Sequence, residues 1–572
     1  MAESYYIGVD VGTASVRAAL ITHDGRIVSS ATQPLQIWQP LTDYYEQSSE
    51  DVWRNVCLVV KEVGASLTDK GKVKGIGFDA TCSLVTLDSS GGPVTCSPSK
   101  EPHRNIIMWL DHRAMEQAER VNSTKHKVLT YVGGATSPEM EIPKMLWLKE
   151  NLQMDCWDKC ALCLELPEFL TYRATGDKTR SMCSLVCKFN FMGHASQILE
   201  GSVSGWIDSF LEAVGLEDLV NTNYSKLGVK VGSPGEPVGK GLTKSAAAEL
   251  GLWEGMPVGT SLIDAHAGGF GVIGADLGPL LTEDKPLTSR LAVICGTSSC
   301  HMAINQNPVF VPGVWGPYFS AMVPGLWLNE GGQSVTGKLI DHLIETHVAC
   351  KELKEKAEKR NCSLYEELNN HVATLAEKRQ LDNLALLSRD FHVLPDFHGN
   401  RSPIGDPKMT GMICGLTLTA DLDNLAVLYL AVLQALAHGT RHIVECLNEA
   451  GHSIDSLFLC GGLSKNELFI QIHADVTGFP CILPRESESV LVGSAILGAC
   501  ASGDFPSIQE AMKSMNAAKK VVKPQKSVKG FYDKKHQVFL LMLTIEMNFR
   551  ELMKDLCFHS ALVQDFFTFK KG

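Results

Sequence analysis

"YYIGVDVGTASVRAALITHDGRIVSS", residues 5–30, is the stretch that decides the fold class. Apolar and β-prone positions fill three short runs, YYIGVDV, VRAALIT and RIVSSA, separated by GTAS and HDG, so the stretch reads as a three-stranded meander. Backbone N–H groups in a tight turn of small residues converge on a concavity suited to phosphate oxygens. Asp10 stands just ahead of that turn, where a carboxylate can hold a hydrated magnesium ion. Taken alone, the commoner reading is a plain β-turn with a solvated Asp.

Working outward, SSEDVWRNVCLVVKEVGASLTDK opens with Ser and acidic residues before spaced apolar ones, as an amphipathic helix does, and VKGIGFDATCSLVTLDSSG returns to strands. Interleaved strands and helices indicate an α/β layered domain. The opening pattern then recurs. LAVICGTSSCHMAI, residues 291–304, again runs strand, Gly-Thr turn, strand, which places Gly296 and Thr297 284 residues after Gly12 and Thr13 in a chain of 572. A repeat at half the chain length favours two homologous α/β domains, each offering a phosphate turn to one cleft, and it reverses the preference for a plain turn.

The rest of the composition sets bounds. The chain exceeds what one hydrophobic core organises, so two large domains are expected. The net charge of −12 argues against nucleic acid or an anionic membrane surface as partner. No apolar run approaches the ~20 residues of a membrane span, and MAESYYIGVD has no secretory pattern, so a cytoplasmic location is expected. The 18 cysteines then read as reduced, buried thiols. Cys156, Cys160 and Cys163 match a triple-thiolate spacing, but they lie in the helical-looking MDCWDKCALCLELPEFL and short spacing matches recur by accident. Residues 350–390 read as a solvated helical pair, and the lysines of AAKKVVKPQKSVKG as a soluble linking surface.

Two further segments carry chemistry. In GMPVGTSLIDAHAGGFGVIGAD, residues 255–276, a strand delivers Asp264 to the mouth of a helix, where it can abstract a hydroxyl proton or cap the helix. Gly269, Gly271 and Gly274 follow in GxGxxG order but inside the helix, where close packing explains them better than a dinucleotide fold. In LCGGLSKNELFIQIHADVTGFPCIL, residues 459–483, Gly461 and Gly462 would let the backbone approach a base or ribose, with Asn466 as a hydrogen-bonding partner.

GVDVGTASVRAAL, SLIDAHAGGFGVIGAD, CGTSS and GGLSKNELFIQIHADVTG together resemble the FGGY carbohydrate kinases, members of the actin-like ATPase superfamily. The resemblance runs from about residue 5 to 555. It includes SPEMEIPKMLWLKEN with Lys144 and Trp147, and LPDFHGNRSPIGDP at 394–407; GMICGLTLTADLDNLAVLYLAVLQ fits the second family signature only in part, having Leu428 and Ala431 where small and acidic residues are usual. MWLDHRA, ADVTGFP and QALAHGTRHIVE are most similar to the ribulokinase branch. The resemblance implies an α/β fold of two actin-like ATPase (ribonuclease H-like) domains flanking an interdomain cleft: 1–272 for the sugar and catalytic base, 273–515 for the nucleotide, and 516–572 as a helical extension. It implies Asp264 as catalytic base; Ala80, Asp111, Lys188 and Glu330 as sugar contacts; Thr13, Arg17, Gly296, Thr297, Gln333, Gly462 and Asn466 as ATP contacts; and Asp10 on Mg2+.

Each has a plainer reading. Lys188 reads equally as a surface lysine in a strand, Glu330 as the cap of the helix after GGQS, Trp109 as core and His266 as packing. The expected reaction is ATP-dependent phosphorylation of D-ribulose to D-ribulose 5-phosphate. Its rivals are a kinase for L-ribulose, xylulose or a pentitol such as ribitol, a non-kinase ATP-dependent regulatory protein on the same fold, and remotely an NAD-linked dehydrogenase. The expected partner is a small sugar, with a homodimer left open. The terminal CFHSALVQDFFTFKKG carries no functional reading.

Overall fold

Tyr5–Val11 (β1), Ser15–Thr22 (β2) and Ile27–Pro34 (β3) form the meander, with β1 buried along its whole length. The computed structural model describes residues 4–65, 67–195, 204–277 and 285–554. Ser49–Gly64 (α1) follows, its start capped by Ser48, which accepts a hydrogen bond from the Asp51 N–H. Val73–Ala80 (β4) returns parallel to β1; after Met182–Lys188 (α2), the short Leu262–Ile263 (β5) lies parallel to β4 and runs directly into Asp264–Ile273 (α3). The first sheet is therefore ordered β5-β4-β1-β2-β3.

The second half repeats the plan. Arg290–Cys295 (β6) and Ser299–Asn305 (β7) make the second hairpin, joined by Trp315–Phe319 (β8) and Trp327–Gln333 (β9). Gly337–Thr346 (α4) and Leu422–Ala450 (α5) precede Ser456–Cys460 (β10), Glu467–Thr477 (α6), Cys481–Pro484 (β11) and Ser489–Ala501 (α7). Ala518–Val522 (β12) and Lys529–Lys554 (α8) complete the described chain. The order is β8-β9-β7-β6-β10-β11-β12, so β9-β7-β6-β10-β11 repeats β3-β2-β1-β4-β5 strand for strand and direction for direction.

Two helices lock the halves together. Helix α7, from the end of the chain, packs on β1 and β4 of the first sheet, while α3 packs on β6 and β10 of the second, and the two helices pack on each other. Their approach is too close for side chains: a Cβ on Gly271 would lie 1.9 Å from the Ser489 carbonyl oxygen, and one on Gly493 2.0 Å from that of Ala267. The glycines inside α3 are thus packing glycines.

Several expectations change. Cys156, Cys160 and Cys163 do not share a helix: Gln153–Trp157 is a π-helical turn and Leu162–Glu165 a strand, because that stretch must enter a second small sheet beside Leu84–Leu87. The lysines of the link are exposed, as expected, but Lys519 and Lys520 belong to β12, the edge strand of the second sheet, where charge discourages further pairing. Helix α5, with 29 residues, is long and apolar enough to cross a membrane, contrary to the reading of the bare sequence, yet it is mostly buried in the second core. The helical pair is present at Cys350–Arg360 and Leu364–Lys378. The tail CFHSALVQDFFTFKKG lies outside the described residues.

Candidate active site

The strand register of the first sheet assembles the acids. Asp10 in β1 stands opposite Asp79 in β4, and Asp264 opens the helix that follows β5 on the far side of β4. The Ser494 hydroxyl, from α7, donates to Asp79 Oδ2 at 2.5 Å, while Asp79 Oδ1 is buried with no partner among the described residues. Burial, and then the charge of Asp10, push the Asp79 carboxyl well above the usual carboxylate range. Asp264 accepts a hydrogen bond from the Ala265 N–H at 2.7 Å and is partly exposed. Desolvation, then Asp10 and Glu330, push it up to about 7, against the opposing pull of that N–H and of Lys188. A carboxylate poised near neutrality suits a general base.

Lys188 and Glu330 reach this base from different domains. Lys188 ends α2 and is buried, not a strand lysine on the surface, because the helix end is covered by the second domain: its Nζ sits 4.9 Å from the centre of the Trp315 ring. Burial alone would lower its ammonium; Cys82, Glu330 and Glu139 outweigh that and hold it well above the ordinary value. Glu330 is buried within β9, so it is no helix cap, and its Oε2 lies 3.8 Å from His266 Nε2. Burial pushes His266 down to about 4, leaving a neutral imidazole. Arg401, from the LPDFHGNRSPIGDP segment, lies over the same Trp315 ring at 5.4 Å. Ala80 ends β4 between Val11 and Ile263 and offers this site only its backbone.

Asp111 is held in place by Arg113 and Tyr45. Its Oδ1 accepts from the Arg113 N–H and Nε at 3.0 and 2.9 Å, and its Oδ2 from Arg113 Nη2 at 2.7 Å and the Tyr45 N–H at 2.6 Å. The same guanidinium donates to Glu46 and lies over the rings of Tyr44 and Trp147. Lys144 is likewise buried, donating to Glu141 at 3.0 Å. These family-signature residues build the wall of the first domain.

The two Gly-Thr turns differ in their surroundings. The Gly12 and Gly296 N–H groups close their own turns onto Ser15 and Ser298 carbonyls, leaving Thr13 and Thr297 at the tips. Thr13 Oγ1 accepts a hydrogen bond from the Trp109 indole at 3.0 Å, so Trp109 braces the first turn. The second turn is braced by α4, whose first N–H groups, from Thr336 to Lys338, donate to Gly296 and Thr297 carbonyls. Gly461 has φ +91° and packs on the Cys295 carbonyl, holding the exposed Gly462 beside this turn. Gln333 instead turns its amide to Leu436 and Thr440 of α5. Asn466 caps α6, accepting from the Leu468 and Phe469 N–H groups while its amide donates to Tyr429. Arg17 bonds Asp10 and, at 2.5 Å, Glu488, which Lys465 approaches at 3.8 Å; this chain of charges joins the acids to the Gly461–Gly462 loop.

The residues fit a magnesium ion. Asp10, with Asp79 beside it and Asp264 across from it, supplies the hard oxygen donors such an ion prefers, and crowding of the three carboxyls is the repulsion a dication relieves. Sequence reasoning singled out Asp10 and Asp264 but missed Asp79, Trp315, Arg401 and Glu488. Asp79 lies inside the quoted FDATCS segment, yet only strand pairing sets it against Asp10. A 270 Å³ depression lined by Arg441, Glu445, Asp475, Phe479, Lys529 and Asp533 shares no residue with this site, and its charges pair among themselves.

Two duplicated domains, locked by crossed helices and sharing a carboxylate-lined junction, define the class of two-domain sugar kinases. Residues 5–271 match the N-terminal domain, and residues 291–502 the C-terminal domain, of the FGGY family of carbohydrate kinases; the chain belongs to this family and is a carbohydrate kinase using ATP. It is 56% identical to the human FGGY carbohydrate kinase domain-containing protein, over 97% of this chain and 98% of the relative. The D-ribulokinase of Saccharomyces cerevisiae is 40% identical, over 91% of this chain and 74% of the relative. Among solved structures, the xylulose kinase of Rhodospirillum rubrum superposes with a TM-score of 0.76 at 20% identity, covering 95% of this chain and 99% of that one, a likeness of fold.

Proposed function

We propose that the chain transfers the γ-phosphoryl group of ATP to the terminal hydroxyl of a pentulose, D-ribulose in the first place, giving D-ribulose 5-phosphate and ADP. The observation that carries this reading is Asp264: a carboxylate held near neutrality, opening a helix at the junction of the domains, with buried Lys188 and Glu330 around it. An uncharged sugar is read by hydrogen bonds to such groups, and a misplaced hydroxyl leaves buried polar atoms unpaired. The name of the yeast relative supports D-ribulose as the sugar.

In this reading Asp264 takes the proton of the terminal hydroxyl as that oxygen attacks the γ-phosphorus and ADP departs. Catalysis is otherwise positioning and charge neutralisation. The turns at Thr13 and Thr297 face the phosphates, and Gly462 admits the nucleoside. Magnesium, held by Asp10, would spread the charge of the transferring group when bound. Domain closure would exclude water and limit idle ATP hydrolysis. ADP release measured with D-ribulose, L-ribulose, xylulose, ribitol and glycerol tests the proposal. Turnover stimulated most by D-ribulose is expected; a stronger response to another sugar would transfer the assignment to it, and no stimulation by any pentulose or pentitol would remove it.

A further inference from the structure

Beside the base lies a group the phosphoryl transfer does not use. Cys183 and Cys187 are four residues apart in α2 and so project from one face of that helix. His266, in the first turn of α3, meets them, and all three are buried. One ligand atom from each lies within 4.8 Å of the others, and Cys187 Sγ is 3.5 Å from His266 Nε2. With Zn–S of about 2.3 Å and Zn–N of about 2.0 Å, a tetrahedral zinc ion spaces a sulfur and a nitrogen ligand about 3.5 Å apart. A second observation points the same way. His266 Nε2 is the nitrogen turned to the thiols: the Cys187 thiol is its hydrogen-bond partner and the Glu330 carboxylate lies 3.8 Å from it, so a second oxygen donor converges on the same point.

We infer that Cys183, Cys187 and His266 form a binding site for a thiophilic ion of the zinc class, through which that metal inhibits sugar binding. Two thiolates and one imidazole are a set that selects zinc or cadmium over magnesium. As each metal–sulfur bond forms, the thiol releases its proton to solvent, and no change of oxidation state is involved. Glu330, close to His266 Nε2, is placed to complete the shell. The inhibitory consequence rests on the sugar-kinase reading: ligation fixes His266 two residues from Asp264 and sets a dication against Glu330, drawing that carboxylate from the sugar.

The test is titration of the reduced, full-length protein with Cd2+, followed by the ultraviolet thiolate-to-metal absorption. Saturation at one ion per chain, displacement by Zn2+, and loss of this band in Cys183→Ser and Cys187→Ser are expected. In the unmutated protein, Zn2+ should shield the same two cysteines from alkylation, read by peptide mass spectrometry, so the test survives a variant that misfolds. Turnover supplies a separate arm: Zn2+ should raise the KM for D-ribulose tenfold or more in the parent and leave Cys183→Ser unchanged. A band that persists in both variants, or shielding that falls on other cysteines, overturns the site. An intact band with KM unmoved by Zn2+ overturns the inhibition. An intact band in a protein that turns over no sugar supports the site and counts only against the kinase reading.

Discussion

Asp10 and Asp79 face each other across two parallel strands in the first sheet, and Asp264 opens the helix that follows β5, within their field. Burial first, and then the charge of Asp10, push both Asp79 and Asp264 upward, and Asp264 reaches about 7. Under the proposed function, Asp264 is the group that would accept the proton and Asp10 the one that would meet the cation.

Replacing Asp264 with Asn removes the acceptor while keeping the shape. We expect kcat with D-ribulose to fall by about 10²- to 10⁴-fold, the usual worth of a general base. ATP affinity by calorimetry should stay near that of the parent. Unchanged turnover would take Asp264 out of the reaction.

The pH dependence follows with a definite sign. The base acts only when deprotonated and its carboxyl is held near 7, so kcat/KM should rise with pH through about 7 and level off above. Burial is the larger cause and Asp10 the next; Asp10→Asn should therefore move the midpoint down while lowering the rate. A steady-state profile flat across the neutral range would contradict the assignment.

The crossed helices make a stability prediction. Gly271→Ala places a methyl 1.9 Å from the Ser489 carbonyl, and backbone on both sides must give way. A loss of roughly 1–3 kcal/mol is expected, read as a lower midpoint of denaturant unfolding. Gly462→Ala, where a Cβ meets nothing within 4 Å, should leave the midpoint unchanged.

Asp111 separates support from recognition. Its oxygens are taken by Arg113 and Tyr45, and its loss leaves a buried guanidinium with only Glu46 as carboxylate partner. Asp111→Ala should lose about 3–5 kcal/mol of stability, the cost of breaking a buried pair. A variant that keeps its unfolding midpoint but binds sugar poorly would instead make Asp111 a sugar contact.

The strands and turns that make each half were legible because they are local: apolar alternation around GTAS and CGTSS names the two hairpins without reference to anything distant. The carriers of chemistry were legible only as residue types. Lys188 and Glu330 could be named as sugar contacts only through the resemblance, and the residues alone left a surface lysine and a helix cap equally open, because a burial that depends on the opposite domain leaves no trace in neighbouring residues. Asn466 was legible as a polar residue beside the double glycine, but its capping of α6 and its bond to Tyr429 were not. What the amino-acid order determined by itself is the duplication and the placing of acids at strand ends. Tertiary structure alone decided that Asp79 faces Asp10, that α7 crosses to the first sheet, and that Cys187 meets His266, since strand register and helix packing bring together groups that are far apart along the chain, 79 residues for Cys187 and His266, and cost nothing to separate in the unfolded chain.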